Sequence, residues 1–326
     1  MSLNPVLRRF TLPTAALTFS AMALLSGCGS TSSGSGAAAD PVSSGSGSAT
    51  GYPTTDVVSS ISEDTSLHAA LLTADPSASS GQVTLGTTYN PGLTGLPHSG
   101  QNSAGQNIGA DVDLRNAVAK VLGISWSVQN GTFDTIIPGV QNGKYAVGQD
   151  NFGVTSAREK EVDFATYLTD GQSLLAPSDS TLNKVTDITQ LCGLTVGTGA
   201  GTTFQTILTK NASKCAAAGK APYTVQYFAD NSAIWLGLAN GRIDVYFGPT
   251  LGLEYDATHV PNVKFLSQIS TTAVGFVVAK DSPLAKLIAE AVNKLISSGD
   301  YAKILAKWSI TANGVAGSQV NPTPTL

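Results

Sequence analysis

Two segments of the chain carry residue types that suit the binding of an anion. Arg158 lies in the run Thr-Ser-Ala-Arg-Glu-Lys, and its guanidinium is a planar fork that can hold a carboxylate through two parallel hydrogen bonds. Thr202 and Thr203 follow a glycine-rich turn and open a predicted helix, whose first backbone N–H groups would face an anion. The alternatives are a surface Arg158 paired with Glu159 or Glu161, and threonines that only cap their helix.

The sequence does not show the residue patterns that a phosphate-binding loop, catalysis or a metal site would require. No Gly-Lys-Ser/Thr follows the glycine-rich turn, so a phosphate-binding loop is excluded. The three histidines, His68, His98 and His259, fall outside the segments above, and we expect His98 to be a solvated loop residue. Neither a Ser-His-Asp order nor a cluster of metal ligands is evident. We therefore expect a protein without catalytic activity, cofactor or metal.

The N-terminus has the pattern of an export signal. Arg8 and Arg9 precede a short apolar run that ends in Leu-Ser-Gly-Cys at Cys28, which is typical of a secretory signal peptide. The run is too short to span a membrane. The last four residues resemble the lipobox of bacterial lipoproteins, which implies cleavage before Cys28, acylation of its sulfur and anchoring outside the cytoplasmic membrane. The alternative is an ordinary secretion signal with a chance cysteine.

Composition fits an exported protein. The 326 residues carry a formal net charge of −4 without a basic block, so we expect no nucleic-acid partner. Residues 29–51 are almost all Ser, Gly, Ala and Thr, a composition typical of a flexible tether. Outside the cytoplasm Cys192 and Cys215 are expected to oxidise to a disulfide. A redox or metal pair is the alternative, although nearby His or carboxylate ligands are lacking.

Strand-like and helix-like segments alternate along the rest of the chain, which predicts an α/β fold. A short helix is expected near residues 56–72. The segments that matter most are strands at 82–87, 193–197 and 272–279 and helices at 111–122, from 204 onward and at 282–297.

Several motifs then occur in order between residues 82 and 311. They are Gly-Ala-Asp-Val-Asp-Leu at 109–114 with Val-Leu-Gly at 121–123, Phe-Asp-Thr-Ile-Ile-Pro at 133–138 with Gly-Lys-Tyr at 143–145, the Arg158 segment with Val-Asp-Phe at 162–164, the glycine-rich segment 193–203, Gly-Arg-Ile-Asp at 241–244, and the closing segments 274–276, 298–304 and 307–308. In this order the motifs resemble the solute-binding proteins of amino-acid ABC transporters, family 3.

The resemblance implies a two-lobed clamshell of the type II periplasmic-binding-protein kind, with two hinge crossings and the ligand between the lobes. We place the crossings near residues 167–170 and 270–272. The expected organisation is a signal peptide at 1–27, a tether at 28–54, a helical lead-in at 55–81, lobe 1 at 82–169 and 273–311, lobe 2 at 170–272 and a disordered tail at 312–326.

The resemblance also implies the ligand residues. Arg158 matches the family arginine that clamps the ligand's α-carboxylate, with Thr202 and Thr203 beside it. Phe133 and Tyr89 match aromatic contacts, although Phe133 is equally well explained as a core ring. Gly153, Asp150 and Asn151 occupy the turn whose backbone meets the ligand. The positions of Cys192 and Cys215 resemble those of a branch of the family that carries a disulfide.

Two positions depart from the family pattern. Two residues before Thr155 the family has a Ser or Thr whose hydroxyl helps to hold the carboxylate, whereas this chain has Gly153, which can contribute only its backbone N–H. Where the family places an Asp that pairs with the ligand's α-ammonium, this chain has Pro249, and a buried ammonium without a counter-charge is costly. Either another carboxylate such as Asp150 replaces it, or the ligand lacks a free α-amine.

The expected function is that of the substrate-binding component of an importer, a monomer that captures an amino-acid-like carboxylate and delivers it to permease subunits. A binder of amine-free acids, a dehydratase of the same fold and a sensory module are the alternatives.

Overall fold

The computed structural model describes residues 51–326. The predicted signal peptide, Cys28 and most of the predicted tether lie outside the described residues. None of the helices from residue 51 onward combines the length and apolar character that a membrane span requires.

The described residues form ten strands and nine α-helices. The strands are β1 (Gln82–Thr88), β2 (Gly100–Gln101), β3 (Asn107–Ile108), β4 (Ser125–Gly131), β5 (Val147–Gly153), β6 (Val162–Pro177), β7 (Thr195–Gly199), β8 (Thr224–Phe228), β9 (Val245–Pro249) and β10 (Val263–Ala279). The helices are α1 (Thr65–Ala74), α2 (Ala110–Leu122), α3 (Phe133–Gln141), α4 (Thr203–Asn211), α5 (Ser213–Ala217), α6 (Asn231–Ala239), α7 (Thr250–His259), α8 (Leu284–Ser298) and α9 (Asp300–Lys307).

Eight of the strands form one sheet that is divided into two halves by its connectivity. The strand order is β4-β1-β5-β10-β6-β9-β7-β8. In one half β1 runs parallel to β4 and β5, and in the other β7 runs parallel to β8 and β9. The long strands β6 and β10 pair antiparallel along their length and extend into both halves. The result is a two-lobed α/β fold whose lobes share two strands.

Each lobe has its own apolar core. In the first lobe Leu114 and Val118 of α2 pack with Phe276 of β10 and Val292 of α8. In the second lobe Leu174, Val196 and Phe247 belong to a separate cluster. The predicted crossings lie in the middle of β6 and β10, where Thr272 pairs with Asp170. The residue limits of the lobes given above remain a prediction.

The predicted disulfide is present. Cys192 follows a short 3₁₀ turn, Cys215 lies in α5, and the two sulfurs are bonded.

The lead-in helix begins later than the sequence predicts. Asp56 accepts hydrogen bonds from the N–H groups of Val58 and Ser59 in an isolated turn. The helix α1 starts only at Thr65, because Asp64 caps it by accepting from the N–H groups of its first turn.

The prediction of a disordered C-terminal tail is wrong. Val320 forms a bridge with Ala165, and Gln319 accepts a hydrogen bond from the N–H of Thr166 at 3.0 Å. Asn321 accepts from the N–H of Phe164 and donates to Asp163, both at 2.8 Å. The first part of β6 has β10 on one side only, so its other edge carries backbone groups that need partners. The tail supplies them, although its composition shows no strand pattern.

Candidate functional site

A cavity of about 570 Å³ lies between the two lobes. Its lining comes from the segments that follow β1, β4 and β5 in the first lobe and β7, β8 and β9 in the second. These are the carboxyl ends of parallel strands, where open α/β sheets hold their ligands. All eight predicted ligand residues line this cavity: Tyr89, Phe133, Asp150, Asn151, Gly153, Arg158, Thr202 and Thr203.

Arg158 lies at one end of the cavity in a short turn between β5 and β6. Its guanidinium donates from Nη1 to the carbonyl of Gly153 at 2.9 Å and from Nη2 to the carbonyl of Gly201 at 3.0 Å. The rings of Phe133 and Phe152 flank it, with centroids 5.4 and 5.6 Å from Cζ. A guanidinium has five N–H donors, so donors remain for a ligand.

The charge of Arg158 has no carboxylate partner among residues 51–326. Neither Glu159 nor Glu161, the partners considered from the sequence, lies within ion-pair distance. Burial lowers the pKa of Arg158 to about 10, so the guanidinium is still a cation at neutral pH. A half-buried cation with no ion-pair partner and with unused donors attracts an anion.

Gly201 brings the second lobe against Arg158. Its φ is +72°, and a Cβ at this position would lie 2.9 Å from the Cβ of Asp134 in the first lobe. Only glycine permits this approach, so the two lobes are in contact at the mouth of the cavity and the structure is that of a closed form.

The two threonines are placed at the start of α4. Thr202 is the N-cap, and its hydroxyl accepts from the N–H of Gln205 at 3.2 Å. Thr203 accepts from Nε2 of Gln172 at 3.4 Å. The cap is therefore confirmed for Thr202, and both threonines line the cavity at the positive end of the α4 dipole. Their contact with an anion stays a prediction.

Gly153 contributes its small size. A Cβ there would lie 2.9 Å from the Cγ2 of Thr272, so a Ser or Thr, as the family places here, would displace the hinge segment. Its carbonyl holds Arg158 in place.

The other end of the cavity is acidic. Asp150 accepts a hydrogen bond from the hydroxyl of Thr88 at 2.8 Å. Burial, and to a smaller extent the nearby Asp111, raise the pKa of Asp150 to about 7 against the opposing effects of the Thr88 hydrogen bond and His98. Within the described part of the chain, no Lys, Arg or His lies within ion-pair distance of Asp150.

His98 corrects the expectation of a solvated loop residue. It is buried and lines the cavity, with Nε2 3.0 Å from Oδ2 of Asp170 and Nδ1 3.4 Å from Oδ2 of Asp111. Burial lowers its pKa, but the two carboxylates outweigh burial and raise the pKa to about 10. The N–H of Asp111 also donates to the carbonyl of His98 at 3.0 Å. His98 is therefore a fixed cation at the start of α2.

Asp170 is fully occupied. It accepts from Nδ2 of Asn151 at 2.7 Å, from the N–H of Gly171 at 2.7 Å and from the N–H of Leu251 at 3.1 Å, in addition to its contact with His98. Asn151 itself has φ +52°, a conformation that asparagine tolerates better than most residues. This network joins both lobes next to the cavity.

The remaining predicted positions also face the cavity. Tyr89 is 48% exposed at the rim, and Phe133 packs on Phe152 with centroids 4.7 Å apart. Pro249 ends β9 and lines the cavity. Asn231 also lines the cavity and accepts from the hydroxyl of Tyr246 at 2.8 Å.

Sequence reasoning missed Asp111, His98 and Asp170. Asp111 lies in the motif used to identify α2, in the first turn of that helix, where it is buried. Its Oδ1 is buried without a hydrogen-bond partner among the described residues. No group of side chains from residue 51 onward is arranged to hold a metal ion.

Comparison with known proteins agrees with this geometry. The profile of the bacterial extracellular solute-binding proteins, family 3, matches residues 93–311. Arginine-binding protein ArgT of Corynebacterium glutamicum is 28% identical over 231 residues, which cover 70% of this chain and 75% of that protein. A putative ABC transporter arginine-binding protein 2 of Escherichia coli K12 is 28% identical over 219 residues, covering 65% of this chain and 86% of that protein.

A solved structure is similar over the same region. An ancestral arginine-binding protein bound to arginine has a TM-score of 0.62 and 28% identity, and the match covers 70% of this chain and 98% of that one. The chain belongs to the bacterial extracellular solute-binding proteins, family 3.

Proposed function

We propose that this protein is the substrate-binding component of an ABC importer and captures an amino acid, or an amino-acid-like carboxylate, in the cavity between its lobes. The observation that carries the proposal is the half-buried guanidinium of Arg158, which lines the cavity, has no carboxylate within ion-pair distance in the described residues and keeps unused donors. Relatives named as arginine-binding proteins support an amino acid as the ligand class.

Capture would proceed by closure on the ligand. The ligand carboxylate would bind Arg158 of the first lobe and the N-terminus of α4 in the second lobe, which lie together because Arg158 donates to Gly201. A ligand held from both lobes binds the closed form more tightly than the open form, and therefore shifts the population toward it. The closed form would then deliver the ligand to permease subunits.

The placement outside the cytoplasm belongs to the same proposal. The lipobox-like segment ending at Cys28 would attach the mature protein, as a monomer, to the outer face of the bacterial membrane by a lipid. The disulfide between Cys192 and Cys215 fits that compartment.

We favour binding over catalysis at this site, because the relatives are named as binding proteins and the histidine that lines the cavity, His98, is unsuited to act as a general base. A general base must be able to accept a proton near neutral pH. His98 is held between two carboxylates that raise its pKa to about 10, so it is already protonated. Its arrangement suits a structural cation.

A thermal-shift panel tests the proposal. The protein without its N-terminal signal and tether is heated with free amino acids, with their 2-oxo and 2-hydroxy counterparts, and with matched amines that lack the carboxylate. A ligand that binds only the folded state raises the melting temperature. We expect stabilisation by at least one carboxylate-bearing compound and none by the matched amines, with the ligand recovered chemically unchanged. Stabilisation by the amines alone, or conversion of the ligand, would contradict the proposal.

A further inference from the structure

The acidic end of the cavity has an excess of negative charge. Three carboxylates, Asp111, Asp150 and Asp170, lie with two cations, His98 and Arg115. Arg115 is buried in α2, and its charge interacts with Asp111 and Asp150. If all five groups are ionised, one carboxylate is left without a counter-charge. An excess charge in a buried position is unfavourable unless a ligand neutralises it.

The carboxylate in excess is Asp150. Asp170 has four donors, and Asp111 lies 3.4 Å from His98. Asp150 has the hydroxyl of Thr88 as its side-chain donor, and no cation within ion-pair distance in the region that the structure describes.

The other carboxylates of the cavity are in different surroundings. Asp134 and Asp230 line it but are exposed to solvent. Asp134 lies in the first turn of α3, and Asp230 caps α6 by accepting from the N–H of Ala233 at 2.8 Å. A helix N-terminus stabilises such a carboxylate, so neither of them needs a ligand cation.

A second unused acceptor, on Asp111, lies at the same acidic end of the cavity. Asp111 is 4% exposed and lines the cavity. Its Oδ1 has no hydrogen-bond partner within residues 51–326. Buried acceptors are nearly always satisfied in folded proteins, so an unused one beside an uncompensated carboxylate indicates a missing donor.

We propose that Asp150, supported by Asp111, is the cation subsite of this cavity and replaces the carboxylate that is absent at Pro249. This inference rests on the proposed function and narrows its ligand to a carboxylate that also carries an ammonium or guanidinium group. Arg158 then holds the negative group and Asp150 the positive group. The cation comes either from the α-amine or from a basic side chain, because both are N–H donors with a positive charge.

An isosteric pair of variants tests the subsite. Asp150→Asn removes a carboxylate that lines the cavity, whereas Asp187→Asn removes an exposed carboxylate that caps the 3₁₀ turn before Cys192 and does not line the cavity. Because Asn also caps well, Asp187→Asn is the matched control. Binding is measured by calorimetry at pH 8 with L-arginine, with L-glutamine, which has only the α-ammonium, and with 4-guanidinobutanoate, which has only the side-chain cation. The corresponding 2-oxo acid of glutamine carries neither cation.

Loss of one partner of a buried charge pair predicts an affinity decrease of at least about 30-fold for Asp150→Asn with the cation-bearing ligands. We expect Asp187→Asn to stay within about threefold of the parent protein, since its carboxylate is exposed and does not line the cavity. A loss shared by L-arginine and L-glutamine assigns the α-ammonium to Asp150. A loss with L-arginine and 4-guanidinobutanoate, but not with L-glutamine, assigns the side-chain cation.

Two results would overturn the subsite. One is an Asp150→Asn variant that binds every cation-bearing ligand as tightly as the parent protein does. The other is a parent protein that prefers the 2-oxo acid to its amino acid. Either result leaves carboxylate capture by Arg158 standing, whereas a protein that binds no carboxylate at all contradicts both proposals. Because a buried uncompensated carboxylate destabilises the ligand-free protein, Asp150→Asn should also raise its melting temperature at pH 8, which shows that the variant is folded.

Discussion

The two ends of the cavity carry charges of opposite sign, and at each end one charged group has no ion-pair partner among the described residues. At the acidic end His98 and Asp170 neutralise each other at 3.0 Å, while Asp150 has no cation within ion-pair distance in that part of the chain. At the other end Arg158 is fixed by two backbone carbonyls and flanked by two rings, but no carboxylate pairs with it in the described chain. The paired groups hold the site in place, and the two unpaired groups are those that a ligand would neutralise.

The largest effect is expected at Arg158. Arg158→Ala removes the partner of a buried carboxylate, which costs about 3–5 kcal/mol and lowers affinity by more than about a hundredfold. Arg242→Ala is the control, because Arg242 is exposed and reaches only Gln226. Calorimetric titration with the best ligand of the panel measures both. Normal binding by Arg158→Ala would show that the anion binds elsewhere.

A pair of glycine variants tests whether closure of the two lobes contributes to ligand affinity. Gly201→Ala places a Cβ 2.9 Å from the Cβ of Asp134 across the mouth of the cavity, so we expect the lobes to be kept apart and affinity to fall about tenfold. Gly219 also has a positive φ, but a Cβ there meets nothing within 4 Å. Gly219→Ala shares the backbone strain without the clash.

Both alanine variants should lose similar stability in thermal melts, and only Gly201→Ala should lose affinity. Equal affinities would mean that the contact at Gly201 plays no part in holding the ligand.

The acidic end predicts a pH dependence of binding. Burial raises the pKa of Asp150 to about 7, so the carboxyl is increasingly protonated below that pH and attracts a cation less. Affinity for a cation-bearing ligand should fall about tenfold from pH 8 to pH 6.

The other titratable groups around Asp150 keep their protonation state between pH 8 and pH 6. His98 has its pKa raised to about 10 by Asp111 and Asp170, and burial raises the pKa of Tyr167 well above its ordinary range, while Arg115 remains a cation. Titrations at several pH values with the parent protein and Asp150→Asn measure the effect. A pH dependence that persists in Asp150→Asn would assign it to another group.

The stability of the ligand-free protein should also depend on pH through the titration of Asp150. Because the pKa of Asp150 is higher in the folded protein than its ordinary value of 3.8, the folded state retains a proton that the unfolded state loses. Stability from this group therefore falls as pH rises from about 4 to 7. Asp150→Asn should flatten that part of the curve in melts between pH 4 and pH 8.

The smallest effect on binding is expected in the tail. Asn321→Ala removes one donor and one acceptor on the edge of β6, which costs about 1–3 kcal/mol of stability. Ligand affinity should not change, since Asn321 does not line the cavity. Denaturant unfolding measures the stability of this variant, and titration measures its ligand affinity. A loss of affinity would mean that the tail acts on the hinge.

The sequence predicted the parts of the site that are local in the chain. Arg158, Thr202 and Thr203 stand in short motifs whose residue types already suggest anion binding, and the alternation of strands and helices predicts the α/β class. The contact of His98 with Asp170 joins residues 72 positions apart through a crossing strand, and no local pattern encodes it. The tail was mispredicted for a similar reason, because its order depends on a free strand edge far away in the sequence.

The most direct test of the account is a crystal structure with the ligand that binds most tightly in the panel. We expect a ligand carboxylate on the guanidinium of Arg158 and a ligand ammonium or guanidinium nitrogen on Asp150, each at about 2.7–2.9 Å. A ligand whose carboxylate lies away from Arg158 would contradict the central claim that the unsatisfied charges of the cavity are those that the ligand completes.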